Sequence, residues 1–345
     1  MKALVLNSDG AAPLLEQREI AVHSPGTCEV LIRVAACGVC YHDVAVVEGT
    51  LRRGVKPEVI LGHEVSGTVE ATGDGVTTVQ HGDRVVTTLT TFCGECERCN
   101  AGNEYRCLRG QGFGHSLDGG FAQYLTVPAS STIPLPDDFD LVQAALLACP
   151  VGVAISALED AARLQPGETA LVVGAGGGLG VHLAQVAAAM GARVFAVTTS
   201  MEKLTAIESF QGVDAILADS ELDFSEIVLA LTEDNGADVV LNPVGSALFG
   251  SCLASLAQYG RMVVLGEIAG RSARINLAEL LFRDATVVGA TGASPRHIRR
   301  AIDMVASGAV QPIVSQEFTF DEADDAIRQM QAANTFARVA LIPPQ

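Results

Sequence analysis

Basic side chains are scarce in this 345-residue sequence: 22 Lys and Arg stand against 40 Asp and Glu, a formal charge of −18 at pH 7. Phosphate backbones and anionic headgroups are recognised by basic patches, so this balance argues against nucleic-acid and membrane partners and leaves a small-molecule substrate as the expected partner. Long hydrophobic runs are missing too. The longest, around 144–155, is shorter than the roughly 20 residues a membrane-spanning helix needs. Disorder is excluded by the opposite shortage, because only 18% of residues are charged while 49% are hydrophobic, enough to bury a sizeable core over about two domains. The opening MKALVLNSDG has one Lys but no apolar core or small-residue cleavage site, so no secretory leader is expected and the cytoplasm is the expected setting. Nine cysteines are too few for a disulfide scaffold of this length, and their odd number leaves one unpaired. Their meaning lies in their spacing.

The first third reads as short strands at 3–6, 29–36, 67–71 and 84–88, with turns at Gly73-Asp74 and Gly82-Asp83 and no helix-period stripe. From 170 the pattern changes. Strand-like runs at 170–173, 193–197, 215–217, 238–241, 261–265 and 285–288 alternate with helical segments, which predicts an α/β doubly wound parallel sheet. A tail of helix 296–307, strand 317–320, helix 321–331 and strand 338–342 does not continue the repeat and is expected to pack back on the first domain. The expected domains are therefore 1–149, 150–290 and a returning 291–345.

Cys93-x2-Cys96-x2-Cys99-x7-Cys107 lies in a polar, Gly-containing loop, FCGECERCNAGNEYRC. Four thiolates so close in sequence close a tetrahedron around zinc and leave no open position, the mark of a structural site. An iron–sulfur run would have a last gap of three followed by Pro, whereas here the gap is seven and Leu108 follows. Cys40 in CGVCYHD, His63 in LGHE and Cys149 in LLACP are far apart in sequence. A Cys2His set is one that holds a catalytic zinc with an exchangeable fourth position, but spacing alone leaves a buried structural Cys149 and a core or surface His63 equally open.

LVVGAGGGLGVHLAQVAAAMGARVFAVTTS joins a strand to a helix and then to a second strand. Gly174, Gly176, Gly177, Gly178 and Gly180, with Leu179 between the last two, let the backbone turn tightly and present N–H groups to a pyrophosphate at the helix start. The register Gly174-x-x-Gly177-x-x-Gly180 fits better than the strict dinucleotide fingerprint, whose last glycine is Leu179 here. At the end of the second strand, where Asp or Glu would bond the ribose 2′-hydroxyl of NAD, stand Thr198, Thr199 and Ser200, with Lys203 a turn later. Hydroxyls without a carboxylate, beside a cation, suit a 2′-phosphate, so NADP(H) is favoured over NAD(H).

These motifs in this order (GVCYHD, GHE, the four-cysteine lobe, a Cys ahead of the βα run, then GAGGGLG) resemble the zinc-dependent medium-chain dehydrogenase/reductase family, to which alcohol dehydrogenases belong. The resemblance covers essentially the whole chain. It implies a mainly β, GroES-like catalytic domain split around a Rossmann cofactor domain, with the active site in the cleft between them. It maps the catalytic zinc ligands to Cys40, His63 and Cys149, the carboxylate that orients the ligand His to Asp43, and the acidic neighbour of the metal to Glu64. Arg338 in FARVAL resembles a position that reaches the cofactor phosphate, and the strand 285–290 after LAELLF resembles the family's subunit-pairing edge, so a homodimer or homotetramer is expected.

The implied activity is interconversion of an alcohol and an aldehyde or ketone, with zinc polarising the oxygen and nicotinamide exchanging hydride. One departure stands out. Many family members place Ser or Thr two residues after the first zinc Cys, where this chain has His42, and the more distant relay His is replaced by Ala45. His42 can carry the proton itself or merely shape the pocket. GVCYHD, AVTTSMEK and the Cys149-Pro150-Val151 context are also similar to the acryloyl-CoA reductase branch, which reduces an activated C=C bond with NADPH. For an acyl-CoA, Arg52, Arg53 and Lys56 are the candidate phosphate contacts.

Overall fold

The computed structural model describes residues 1–7, 14–218, 223–332 and 335–345. They divide into two compact units, Met1–Gly152 with Gly292–Ala306 and Pro312–Gln345, and Val153–Thr291 with Ser307–Gln311. The returning tail thus gives Ser307–Gln311 to the second unit, while 150–152 stay with the first.

The first unit opens with a two-stranded antiparallel pair, β1 (Lys2–Leu6) and β2 (Leu15–Glu19). Its main sheet is built on β3 (Glu29–Val39), β4 (Glu64–Thr72), β5 (Arg84–Thr87), β6 (Tyr124–Pro128) and β7 (Thr132–Pro134). β3, EVLIRVAACGV, is rich in β-branched residues and long enough, at 11 residues, to serve several partners. β4 pairs along one edge from Val30 to Gly38, while the other edge pairs β6 over Glu29–Arg33. Phe121, Ile32, Leu61 and Val65 are among the residues buried in its core.

The second unit is a six-stranded parallel sheet of β8 (Thr169–Val173), β9 (Arg193–Thr198), β10 (Val213–Leu217), β11 (Ala237–Asn242), β12 (Leu256–Val264) and β13 (Thr286–Gly289), in the order β10-β9-β8-β11-β12-β13. That is the doubly wound order, reversing direction between β8 and β11. β8 and β11 are almost wholly buried, as inner strands covered on both faces are, whereas the edge strand β13 is largely exposed. The tail supplies β14 (Val314–Phe318) and β15 (Arg338–Leu341), and β15 pairs antiparallel with the end of β3 at Val39, Gly38 and Cys37.

Three readings are corrected. The first third does contain a helix, Tyr41–Val47, less than two full turns long and so without a visible period; Cys40 N–H donates to Asp43 Oδ2 at 2.8 Å across its first turn. β2, β6 and β7 were not anticipated, because three to five residues carry little alternation. The apolar run around 144–155 lies in a stretch of adjoining helical segments, Leu141–Ala162, whose 22 residues do reach membrane-spanning length. It is a core element, with 78% of its apolar window buried inside the protein.

Candidate active site

Strand register brings the site together. Gly38 faces Glu64 across β3 and β4, so Cys40, two residues past Gly38, lies beside His63, one residue before Glu64. On the other edge Val339 pairs with Val39, which sets Arg338 next to Cys40. Gly38 is required here: a Cβ on it would lie 2.1 Å from Glu64 Oε2. Cys149 arrives just before Pro150, the first residue of the helix Pro150–Ser156, where a missing N–H costs nothing.

Ligand atoms of Cys40, His63, Glu64 and Cys149 all lie within 4.8 Å of one another. Cys40 Sγ and Cys149 Sγ are 4.0 Å apart, and His63 is hydrogen-bonded to Cys40. Asp43 is fully buried behind them, accepting from the N–H groups of Cys40 at 2.8 Å and Gly62 at 3.2 Å, with His63 Nδ1 3.6 Å from Oδ1. Burial raises Asp43, but the imidazoles of His63 and His42 outweigh it and hold the carboxyl well below the usual carboxylate range. With Nδ1 turned to Asp43, Nε2 of His63 is the nitrogen offered to the thiols. Burial pushes Glu64 up to about 7 against the pull of Arg338, whose Nη2 is 3.0 Å from Glu64 Oε1. Among the described residues, His63 Nδ1 and Glu64 Oε2 are buried without a hydrogen bond, while Glu64 Oε1 is held in the ion pair with Arg338.

The second thiol cluster is as tight. Sγ–Sγ distances are 3.5 Å for Cys96–Cys99 and 3.9 Å for both Cys93–Cys99 and Cys96–Cys107. A zinc tetrahedron with Zn–S of about 2.3 Å has edges of about 3.8 Å, so the four sulfurs stand where such an ion needs them. Backbone N–H groups of Cys93 and Arg109 donate to Cys107 Sγ, and that of Cys96 to Cys93 Sγ. No disulfide forms, since all nine cysteines are free thiols.

In the second unit Gly174 has φ +59°, the N–H of Gly177 donates to its carbonyl, and a Cβ on Gly180 would lie 2.2 Å from Gly174 O. These contacts select the register Gly174, Gly177, Gly180. Leu179 caps the helix Gly180–Ala189 without a side-chain acceptor; the Val181 N–H donates to the Gly177 carbonyl, and the glycine turn ahead of the helix is where a pyrophosphate would meet backbone N–H groups. Gly178 has a different task, its carbonyl being 2.7 Å from His182 Nδ1. Lys203 lays its stem across Gly176, where a Cβ would meet its Cδ at 2.6 Å, so the glycine turn and the end of β9 share one cation. Ser200 Oγ accepts from Lys203 N–H as the cap of the helix Met201–Ile207. Thr198 is buried and its Oγ1 accepts from Ser200 N–H, so of the three hydroxyl residues Thr199 is the exposed one.

Residues 26–137 match the alcohol dehydrogenase GroES-like domain, and residues 178–307 match the zinc-binding dehydrogenase domain. Acryloyl-coenzyme A reductase of Metallosphaera sedula is 34% identical over 342 residues, 99% of either chain. NAD-dependent alcohol dehydrogenase of Saccharolobus solfataricus is 31% identical over 342 residues, 95% of this chain and 96% of its own. A crystal structure of an NAD-dependent alcohol dehydrogenase matches at a TM-score of 0.94 and 30% identity, covering 99% of both chains. The chain belongs to the zinc-binding alcohol dehydrogenase family. It is an alcohol dehydrogenase-like oxidoreductase with a GroES-like domain and a Rossmann-type domain.

Zinc and a nicotinamide dinucleotide are the groups this family member has to accommodate, and both donor sets suit them: two clusters of soft thiolates, and a glycine turn that a Cβ would fill. Arg338 departs from expectation. It is buried at 4% exposure beside Glu64 and 4.0 Å from Cys149 Sγ, so its guanidinium is already engaged in the thiol cluster rather than displayed for a phosphate. Of the proposed basic trio, Lys56 pairs with Asp118 and Arg52 folds back on the Gly49 carbonyl. His42 is placed with the cluster, 5.0 Å between ring centroids from His63 and 5.2 Å from His115. His115, a lone histidine after a glycine, carried no sequence signal.

Proposed function

We propose that this chain is a zinc-dependent NADP(H) oxidoreductase that interconverts an alcohol and an aldehyde or ketone. The carrying observation is the convergence of two thiols and one imidazole on one buried point, with Asp43 orienting the imidazole and Glu64 drawn toward Arg338. Cys40, His63 and Cys149 then hold the catalytic metal, and Cys93, Cys96, Cys99 and Cys107 the structural one. Zinc in such a site acts as a Lewis acid on the substrate oxygen. With both groups bound, the nicotinamide would supply the two-electron hydride acceptor for the carbinol C–H, and His42 would take the hydroxyl proton as the carbonyl forms. Gly174, Gly176, Gly177, Gly178, Leu179 and Gly180 cradle the pyrophosphate, while Thr199, Ser200 and Lys203 meet the 2′-phosphate; Thr198 shapes their turn.

A second reading, reduction of an activated C=C bond in an acyl thioester, is favoured by the 34% identity to the acryloyl-coenzyme A reductase. That reaction would need hydride from a reduced nicotinamide at the β-carbon and a proton from a side chain or solvent at the α-carbon. The commitment of Lys56 and Arg52 to other partners weighs against it.

Elemental analysis should find about two zinc per chain. Cys149→Ser should lose one of them and reduce alcohol oxidation by about a hundredfold or more while NADPH still binds. Acryloyl-CoA reduction retained in Cys149→Ser, in a screen of alcohols, aldehydes and enoyl thioesters, would favour the second reading. The same screen should show NADP(H) preferred over NAD(H), with Lys203→Ala narrowing the preference; a strong NAD preference would overturn the 2′-phosphate assignment. The chain works in the cytoplasm, whose reducing poise keeps six ligand thiols available. Its partners are a small-molecule substrate and further copies of itself, as a homodimer or homotetramer joined at the exposed β13 edge; with −18 charge it serves neither nucleic acid nor membrane.

A further inference from the structure

Three glycines in a row, Gly176, Gly177 and Gly178, precede Leu179 and the helix Gly180–Ala189. Peptide planes in such a run turn easily, so a glycine turn that is to present N–H groups outward has to be held by other contacts. The backbone holds part of it. Gly177 N–H donates to the Gly174 carbonyl at 2.9 Å, Val181 N–H to the Gly177 carbonyl at 3.0 Å, and Leu183 N–H to the Leu179 carbonyl at 2.9 Å. The carbonyl between the last two, that of Gly178, is taken by a side chain: His182 Nδ1 lies 2.7 Å from it. A carbonyl only accepts, so Nδ1 carries the hydrogen. His182 is wholly buried, as are its neighbours Val181, Leu183 and Ala184, and a polar ring in such surroundings is costly unless it is hydrogen-bonded. A peptide group is planar and trans, so its C=O and its N–H point in opposite directions. Turning the Gly178 carbonyl in to the buried ring therefore turns the Leu179 N–H away from that ring. Leu179 N–H has no acceptor among the described residues.

We propose that His182 is a positioning residue for the dinucleotide: its Nδ1–H fixes the Gly178–Leu179 peptide plane so that the Leu179 N–H, and not the Gly178 carbonyl, faces the pyrophosphate. The reversed plane would set a carbonyl oxygen against phosphate oxygens, acceptor against acceptor, where the turn has to offer a donor. With no side chain at Gly178 to resist that reversal, the ring supplies the resistance from inside the helix. The inference rests on the reading above that the glycine turn cradles the pyrophosphate, a group that NADPH and NADH share.

Two substitutions separate the ring from its donor. His182→Phe keeps a ring and loses the donor; His182→Asn puts an amide N–H where Nδ1 stands, and its smaller side chain leaves a cavity that lowers the melting temperature. In fluorescence titrations the dissociation constants of NADPH and NADH should both rise about tenfold in His182→Phe and stay within about threefold of wild type in His182→Asn. Wild-type affinity in His182→Phe would overturn the inference, as would an affinity loss that simply tracks the loss of melting temperature across both variants. Nitrogen-resolved spectra of the wild type supply a test that needs no variant: His182 should show Nδ1–H, and saturating NADPH should shift the Leu179 amide. A ring carrying its hydrogen only at Nε2 would overturn the inference. An unshifted Leu179 amide would overturn the pyrophosphate reading itself, whereas a shifted amide with wild-type affinity in His182→Phe would leave that reading standing and remove only the part given to His182.

Discussion

Gly180 illustrates how a residue acts through what it lacks. Its Cβ would sit 2.2 Å from Gly174 O and 2.8 Å from Ala175 Cα, backbone atoms that cannot swing aside as a side-chain tip can. Gly180→Ala is expected to destabilise the protein by about 1–3 kcal/mol and to weaken NADPH binding in parallel, measured by denaturant unfolding and fluorescence titration. Wild-type NADPH affinity in that variant would place the pyrophosphate elsewhere. The ligand-type residues were readable from sequence because donor chemistry leaves few substitutes: soft thiolates at Cys93, Cys96, Cys99 and Cys107 have a spacing that little else explains. Arg338 was not readable in the same way. Its side chain is defined by the pairing of β15 with β3, which turns it to Glu64 and Cys149.

Elements differ in how much of themselves they announce. The buried strands of the parallel sheet are continuous apolar runs and were found from composition, with ends displaced by at most five residues, the largest shift at β12, which begins at Leu256. The helix Tyr41–Val47 and the strands β2, β6 and β7 were hidden because each is too short to show a period. Between elements, Glu168 and Arg261 join the entry of β8 to β12: Arg261 Nη1 and Nη2 donate to the two Glu168 oxygens at 3.0 and 2.6 Å. Burial raises Glu168, but Arg261 and the Gln165 amide outweigh it and hold the carboxyl below its ordinary value of 4.5. A depressed folded-state pKa stabilises the protein above the unfolded value, and the contribution is lost as pH falls through it. Glu168→Gln should therefore lower stability at pH 7 by up to about 1 kcal/mol, the pair being partly exposed, and the gap to wild type should close in unfolding measurements below the ordinary value of 4.5. A gap that persists in acid would mean packing, not charge, is what the substitution removed.

For the whole molecule, the three most exposed large hydrophobic side chains among the described residues lie on one helix of the second unit. The helix Leu277–Arg283 buries none of its residues, with Leu277, Leu281 and Phe282 at 73%, 70% and 77% exposure, and β13 beside it ends the sheet with Val287 also exposed. An open strand edge flanked by apolar side chains is the arrangement that another strand completes. Light scattering should give a dimer or tetramer for the wild type and a monomer for Phe282→Glu combined with Val287→Lys. A wild-type monomer would dismiss this edge as an interface.

The four-cysteine set, the glycine turn and the six-strand alternation are legible in residue chemistry or local period, whereas Cys40, His63 and Cys149 were joined in sequence only by the family resemblance. Tertiary structure decided what local pattern cannot carry. The register of β3 with β4 and β15 brings Cys40, His63, Glu64 and Arg338 to one point, and buries Asp43 as an anion behind them. The same folding set His115 against His42 across 73 residues of chain, a contact with no trace in sequence because proximity there is made by hydrogen bonds between loops.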